Sequence, residues 1–255
     1  MNFFKVKFAL LLLALLFCGA IKLGYAQNII KFASSEDIAI AFYKSGGKIP
    51  NFERWVKETA PYNLTPWARR AEMMQQEKSR LQLAYRNFNP EKDFLNIRTF
   101  VLLKPEEQID AKGQKTYSMT MTFSEAAEAL YFPYEWLGER IVVMPHKLDK
   151  LMTTSLSAAQ YDLIQRALPS SAKNTMIVQL RATEGDLSRP YDIDGLQQWV
   201  LKAEIVALEV WSKQGSLLWE YTAPWYVSPR TKKLNNLYNE RPSGSVQKGA
   251  VKSLF

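Results

Sequence analysis

A chain of 255 residues, 47% hydrophobic and 23% charged, is long enough to bury a substantial single core. One cysteine and one histidine leave no room for an internal disulfide, a thiolate metal cage or a histidine-rich metal centre. The formal net charge of +8 is unevenly placed: Lys5, Lys7 and Lys22 sit at the start, residues 228–255 carry six cations against Glu240, and residues 27–227 balance at 24 of each sign. Attraction to an anionic partner is therefore expected from the tail and not from the body.

Lys5 and Lys7 precede an apolar run over residues 8–21, and Gly24-Tyr25-Ala26 forms a small-x-small site. This is the layout of a secretory signal, and cleavage near Ala26 is expected. The run is shorter than the roughly 20 residues of a spanning helix, and Lys22 ends it, so no span is expected in the mature chain, although an uncleaved anchor is an alternative. Cys18 offers a second alternative, lipidation, against which stands the bulky Phe17 before it. Cleavage leaves a chain free of cysteine, and an exported protein that folds without disulfides suits a bacterial envelope. The expected location is periplasmic or secreted.

The first third reads as helical. In "SSEDIAIAFYKSGG" Ser35 is the expected N-cap, Glu36 and Asp37 occupy the first turn, and Gly46 stops the helix. A short helix after Asn51 buries Phe52, Trp55 and Val56. A longer one starts at the cap Thr65 with Pro66 in the first turn and runs to Phe88 before Pro90. Trp67, Ala71, Met74, Lys78, Leu81, Tyr85 and Phe88 fall on one stripe, expected to pack on the protein's own sheet, with a coiled-coil seam as the alternative.

From Phe94 the period changes to that of strands. "FLNIRTFVLL" is branched and aromatic, and "TYSMTMTF" alternates, with Tyr117, Met119, Met121 and Phe123 on one face and hydroxyl residues on the other. A brief helix is expected from Ser124, a strand at "ERIVVMP", a helix over residues 157–168 and a strand at "TMIVQLRA". "EGDLSRPYDIDG" reads as a polar loop. "WVLKAEIVALEVWSKQGSLLWEYTA" reads as two strands around a turn at Lys213-Gln214-Gly215, with Leu218 out of step.

Helices first and strands later, without regular alternation, predict an α+β fold: N-terminal helices packed on a mainly antiparallel sheet. Its parts are a leader (1–26), a helical segment (27–92), an α+β body (93–227) and a basic C-terminal tail (228–255) expected to be disordered. The terminal Phe255 resembles the end of a membrane barrel, but no alternating series of membrane strands precedes it.

No catalytic motif survives inspection. His146 stands alone, without a metal-site or nucleophile-elbow partner. Three S-x-x-K matches, at Ser45, Ser170 and Ser245, lack their companion motifs, and no glycine-rich phosphate loop is present. Asp192 and Asp194, with Glu184 and Asp186 nearby, are the one acidic gathering; beside the plain loop, they allow a calcium site or a glycosidase-type carboxylate pair. Of the seven tryptophans, Trp136 and Trp225 lie in proline-containing turns and are the expected exposed contacts. Arg230, Lys232 and Lys233 open the basic tail. The expectation is a non-enzymatic binding or scaffolding module, without cofactor, that meets an anionic envelope surface or another envelope protein and not nucleic acid; a periplasmic glycan hydrolase and a Cys18 lipoprotein are the alternatives.

Overall fold

The computed structural model describes residues 30–123, 130–168 and 173–229. The expected leader with Cys18, the expected helix from Ser124 and the residues from Arg230 onward lie outside the described residues. Those from Phe32 onward belong to one compact unit. Among them are six α-helices and an eight-stranded, mostly antiparallel sheet, an α+β fold as expected. No described helix is long and apolar enough to cross a membrane.

Helix α1 spans Ser35–Ser45 and is capped by Ser34, one residue earlier than expected. The reason is reciprocity. With Ser34 at the cap the third helical residue is Asp37, whose carboxylate accepts from both the Ser34 amide (2.9 Å) and its hydroxyl (2.7 Å); with Ser35 it would be Ile38, which has nothing to offer. Five consecutive residues of α1, Ile38 to Phe42, are buried, so the helix is covered all round. Helix α2, Phe52–Glu58, follows its Asn51 cap and buries Phe52, Trp55 and Val56 as expected.

The long helix departs from expectation at its start. Thr65 closes a short helix α3, Ala60–Leu64; a 3₁₀ turn, Trp67–Arg69, intervenes, and α4 spans Arg70–Asn87. The Thr65 hydroxyl donates back to the Pro61 carbonyl (2.7 Å) and does not cap α4. The stripe packs on α1 and α2, not on the sheet: Leu81 is fully buried, Met74, Tyr85 and Phe88 are half-buried, and Trp67 and Ala71 face solvent.

Strands β1 (Leu95–Ile109), β2 (Lys115–Phe123), β3 (Phe132–Trp136), β4 (Glu139–His146), β5 (Thr153–Leu156), β6 (Asn174–Ile193), β7 (Leu196–Trp211) and β8 (Leu217–Thr222) form the sheet. Its order is β3-β4-β7-β6-β1-β2-β5, and β8 pairs with β7. Because β6 lines one edge of β7, β4 and β8 share the other: β4 runs parallel to the first half of β7, and β8 antiparallel to the second. A four-residue helix α5, Leu148–Leu151, leads to β5. Helix α6, Ala158–Ala167, is capped by Ser157 through a capping box with Gln160.

The expected polar loop at residues 184–195 is instead the end of a 20-residue strand. Asp194 and Gly195 both take positive φ (52° and 74°) and close a two-residue hairpin between Ile193 and Leu196, the geometry an Asp-Gly pair favours. The polarity that suggests a loop arises because this hairpin end has little core to cover. The expected hairpin at Gly215 is present, with Gly215 at φ 82°. Leu218 is the bulge residue there, which explains its break in alternation: both Leu218 and Trp219 are buried.

The core lies between the inner face of the sheet and helices α1 and α6. Leu95, Ile97, Val101, Met119, Met121, Met176, Val178, Leu180, Leu201, Ala203 and Ile205 supply the sheet side. Gly185 admits α1 at close range. A Cβ there would overlap the carbonyl oxygen of Phe42 and stand 3.0 Å from the amide nitrogen of Gly46.

Candidate functional site

The same alternation that sends Leu95, Ile97 and Val101 inward sends Asn96, Arg98, Phe100 and Leu102 outward, and each strand-paired partner shares the face of its neighbour. On β6 the outward set includes Gln179, Arg181 and Thr183, and on β7 it includes Val200, Lys202 and Glu204. On β4 it is Val142, Met144 and His146. Gln179 donates to the side-chain oxygen of Asn96 (3.1 Å) across the β1–β6 pair. Large apolar groups remain open to solvent on this face: Phe100 (39% exposed), Leu102 (43%) and Met144 (42%).

A groove of about 530 Å³ opens between β4 and β7, lined by Met144, His146, Lys147, Thr183, Val200 and Glu204 among others. Its volume falls in the roughly 300–1,000 Å³ range of ligand sites. The floor is apolar, through Val200 and Met144, and the rim carries the charges. Lys202 donates to both carboxylate oxygens of Glu184 (3.1 and 3.0 Å), which raises its pKa above the ordinary lysine value. Lys147, at φ 62°, turns the chain sharply at the end of β4; this left-handed conformation costs a non-glycine residue about 1–3 kcal/mol. The Thr183 hydroxyl donates to the Lys202 carbonyl (3.0 Å), so its proton is engaged.

Glu204, on the rim, also meets the segment after β8. Ala223 donates its amide to the Val206 carbonyl (2.8 Å) and holds this segment against β7. Trp225 comes next: its indole N–H donates to Glu204 (3.2 Å), and the Arg181 guanidinium lies 4.6 Å from its ring centroid. Arg181 also pairs with Glu204 and with Glu91 (3.0 Å). Tyr226 packs edge-on to Phe94, with ring centroids 5.3 Å apart, and burial raises its pKa. Trp225 is 47% exposed, so one ring face is available for contact.

The other expected site residues are spread apart. Trp136 is half-buried, edge-on to Trp55 at 6.0 Å, and its indole N–H is buried without a partner among the described residues. It belongs to the packing of β3 on the helices and not to an exposed contact. Asp192 accepts the Gly195 amide (3.0 Å) and Asp194 accepts the Tyr131 hydroxyl. Both carboxylates thus serve the hairpin tip, and neither lines the groove. Asp186 accepts from the Ser188 amide (3.0 Å), the Ser188 hydroxyl (2.6 Å) and the Tyr191 hydroxyl (2.6 Å), which lower its pKa to about 2. Among the described residues no group of three or more His, Cys, Asp or Glu side chains could hold a metal ion. His146 does line the groove. Arg230, Lys232, Lys233 and Cys18 lie outside the described residues.

Met144, Arg181, Lys202 and Glu204 carry the site without having been singled out in the sequence. For Met144, Lys202 and Glu204 the signal was the period of two in "ERIVVMPH" and "KAEIVALEV", which brings these strands together once the parallel β4–β7 pairing is known, and Arg181 of "TMIVQLRA" joins them opposite Glu204 through the β6–β7 pairing. The arrangement suits an extended or amphipathic group: an apolar floor, a charged rim with Trp225 bonded to its Glu204, and a mouth open to water. No known protein family matches the chain, and no curated protein or solved structure resembles it at a significant level.

Proposed function

We propose that this protein is an exported component of a bacterial envelope that acts as a binding or scaffolding module, with the outer sheet face as its contact surface. The observation that carries the reading is that face itself. Met144, with Trp225 of the segment after β8 beside Glu204, stands open towards one end of the outer face, and Phe100 and Leu102 stand open towards the other, while the inner face supplies the core; exposed apolar groups among paired charges are what contact surfaces have. The groove between β4 and β7 lies within this surface, and two of its charged residues, Lys202 and Glu204, are already paired with Glu184 and Arg181, which favours recognition over proton transfer.

Export rests on the leader, with its two lysines, apolar run and Gly24-Tyr25-Ala26 site. The six tail cations add attraction to an anionic envelope surface, beginning at Arg230 and close in sequence to the anchored Trp225. The test has two parts. Intact mass of the protein recovered from cells is expected to start at Gln27; a mass carrying a lipid at Cys18 selects the lipoprotein instead. Washing envelopes with rising salt is expected to release the protein, and neutralising the six tail cations to lower the salt required. Retention that ignores both would count against the reading.

A further inference from the structure

We infer that the chain reversal between α2 and α4 is a membrane-contact tip, which seats Leu64 and Trp67 in the headgroup layer of an anionic lipid bilayer. It goes beyond the reading above and shares no residue with the outer sheet face. Leu64 is 84% exposed and Trp67 is 85% exposed, the highest values among the large apolar side chains described. Neither α3 nor the 3₁₀ turn buries a single residue.

The tip is nonetheless braced. Pro61 and Pro66 restrict the backbone on either side of Leu64, and the Thr65 hydroxyl holds the Pro61 carbonyl. Arg70 donates to the carbonyls of Thr65 (3.0 Å) and Asn63 (3.4 Å) and lies 5.7 Å from the Tyr62 ring centroid. A braced loop gives up little conformational freedom when its side chains are inserted.

Two further features select lipid as the occupant. Residues 59–71 contain Arg69 and Arg70 and no acidic residue, with Glu58 and Glu72 just outside. Arg69 stays 75% exposed, and its 4.0 Å ion pair with the exposed Glu72 is of the weak solvent-screened kind that a lipid phosphate can replace. The apolar groups are also two separate side chains among Asn63, Thr65 and Arg69, not a broad patch of the roughly 800 Å² that a stable protein partner covers on each side. The adjoining notch of about 240 Å³ is smaller than ordinary ligand sites. Single protruding Trp and Leu side chains beside arginine match the requirements of the bilayer interface.

Cys18 is the sole cysteine, so a chain beginning at residue 27, which retains the whole compact unit from Phe32, can carry one placed thiol. Leu64→Cys, labelled with an environment-sensitive fluorophore, is mixed with vesicles of phosphatidylcholine and phosphatidylglycerol. The expected result is a blue shift and quenching by lipids brominated near the headgroup, both absent with phosphatidylcholine alone. Trp67→Glu is expected to weaken vesicle binding about tenfold without moving the melting temperature. A silent probe on a chain that still sediments with vesicles through its tail cations overturns the tip and leaves the envelope reading standing. A blue shift without lipid, accompanied by a dimer in sedimentation, assigns the patch to a second copy and overturns it too, as does a lowered melting temperature for Trp67→Glu.

Discussion

Gly185 of β6 lies directly beneath the last turn of α1, against the carbonyl of Phe42. A Cβ at this position would overlap the Phe42 oxygen and stand 3.0 Å from the Phe42 carbonyl carbon, so backbone would have to yield to backbone. Gly46, at the end of the same helix, faces β6 in turn: a Cβ there would stand 2.8 Å from the Gly185 carbonyl oxygen. The two glycines set how closely α1 sits on the sheet, and that closeness is why five consecutive residues of α1 are buried.

Gly185→Ala is therefore expected to destabilise by about 3 kcal/mol, at the upper end of overpacking costs because no flexible side chain can move aside. Chemical denaturation of this variant against Gly195→Ala checks it. Gly195 has open space around a Cβ and suffers only from its positive φ, so the smaller loss is expected there.

Leu81 is the one buried residue of α4. Leu81→Ala is expected to lose about 3 kcal/mol and to raise hydrogen exchange along α4 before the sheet is affected. Exchange that rises equally in β6 and β7 would mean that helix and sheet open as one unit.

Tyr43 donates its hydroxyl to Glu139 (3.2 Å), which Arg54 also engages. Burial first, then the charge of Glu139 and this hydrogen bond, push its pKa up to about 12. The folded value lies above the ordinary tyrosine value near 10. Its contribution is thus complete below pH about 10 and is lost as pH rises through about 12. Burial pushes Tyr134 up to about 12 as well, so phenolate absorbance is expected to show a late-titrating phase that Tyr43→Phe reduces without abolishing, together with part of the alkaline loss of stability.

Asp186 shifts the other way. Hydrogen bonds from Ser188 and Tyr191 hold its pKa at about 2, below the ordinary carboxylate value. Its support for the β6 irregularity is complete above pH about 4 and fades as pH falls through about 2. Its partners Ser188 and Tyr191 are within five residues, so the effect is expected to be local: Asp186→Asn should abolish an acid-side change in the Tyr191 signal by NMR while leaving the midpoint of global unfolding nearly unchanged.

Much of the fold was legible from period and caps. The strands at "TYSMTMTF", "ERIVVMP" and "LLWEY" and the short helix after Asn51 need only local rules. Trp67 misled because a stripe at helical spacing says that residues share a side, not that anything covers that side. Residues 184–195 misled for a related reason: only Gly185 and Leu187 of this stretch pack inward, too few to make an apolar pattern, and its Asp-Gly turn alone was informative. The outer face was the least legible. Met144 and Lys202 are distant in sequence and meet through a parallel β4–β7 pairing that no hairpin signal announces.

The central claim is that the outer sheet face is covered by a partner in its working setting, and hydroxyl-radical footprinting tests it directly. Met144 and Trp225 are both oxidation-prone and are 42% and 47% exposed in the protein alone. Comparing the purified protein with the protein in native envelopes is expected to show both residues protected in the envelopes. Equal oxidation of Met144 and Trp225 in the two settings would contradict the account.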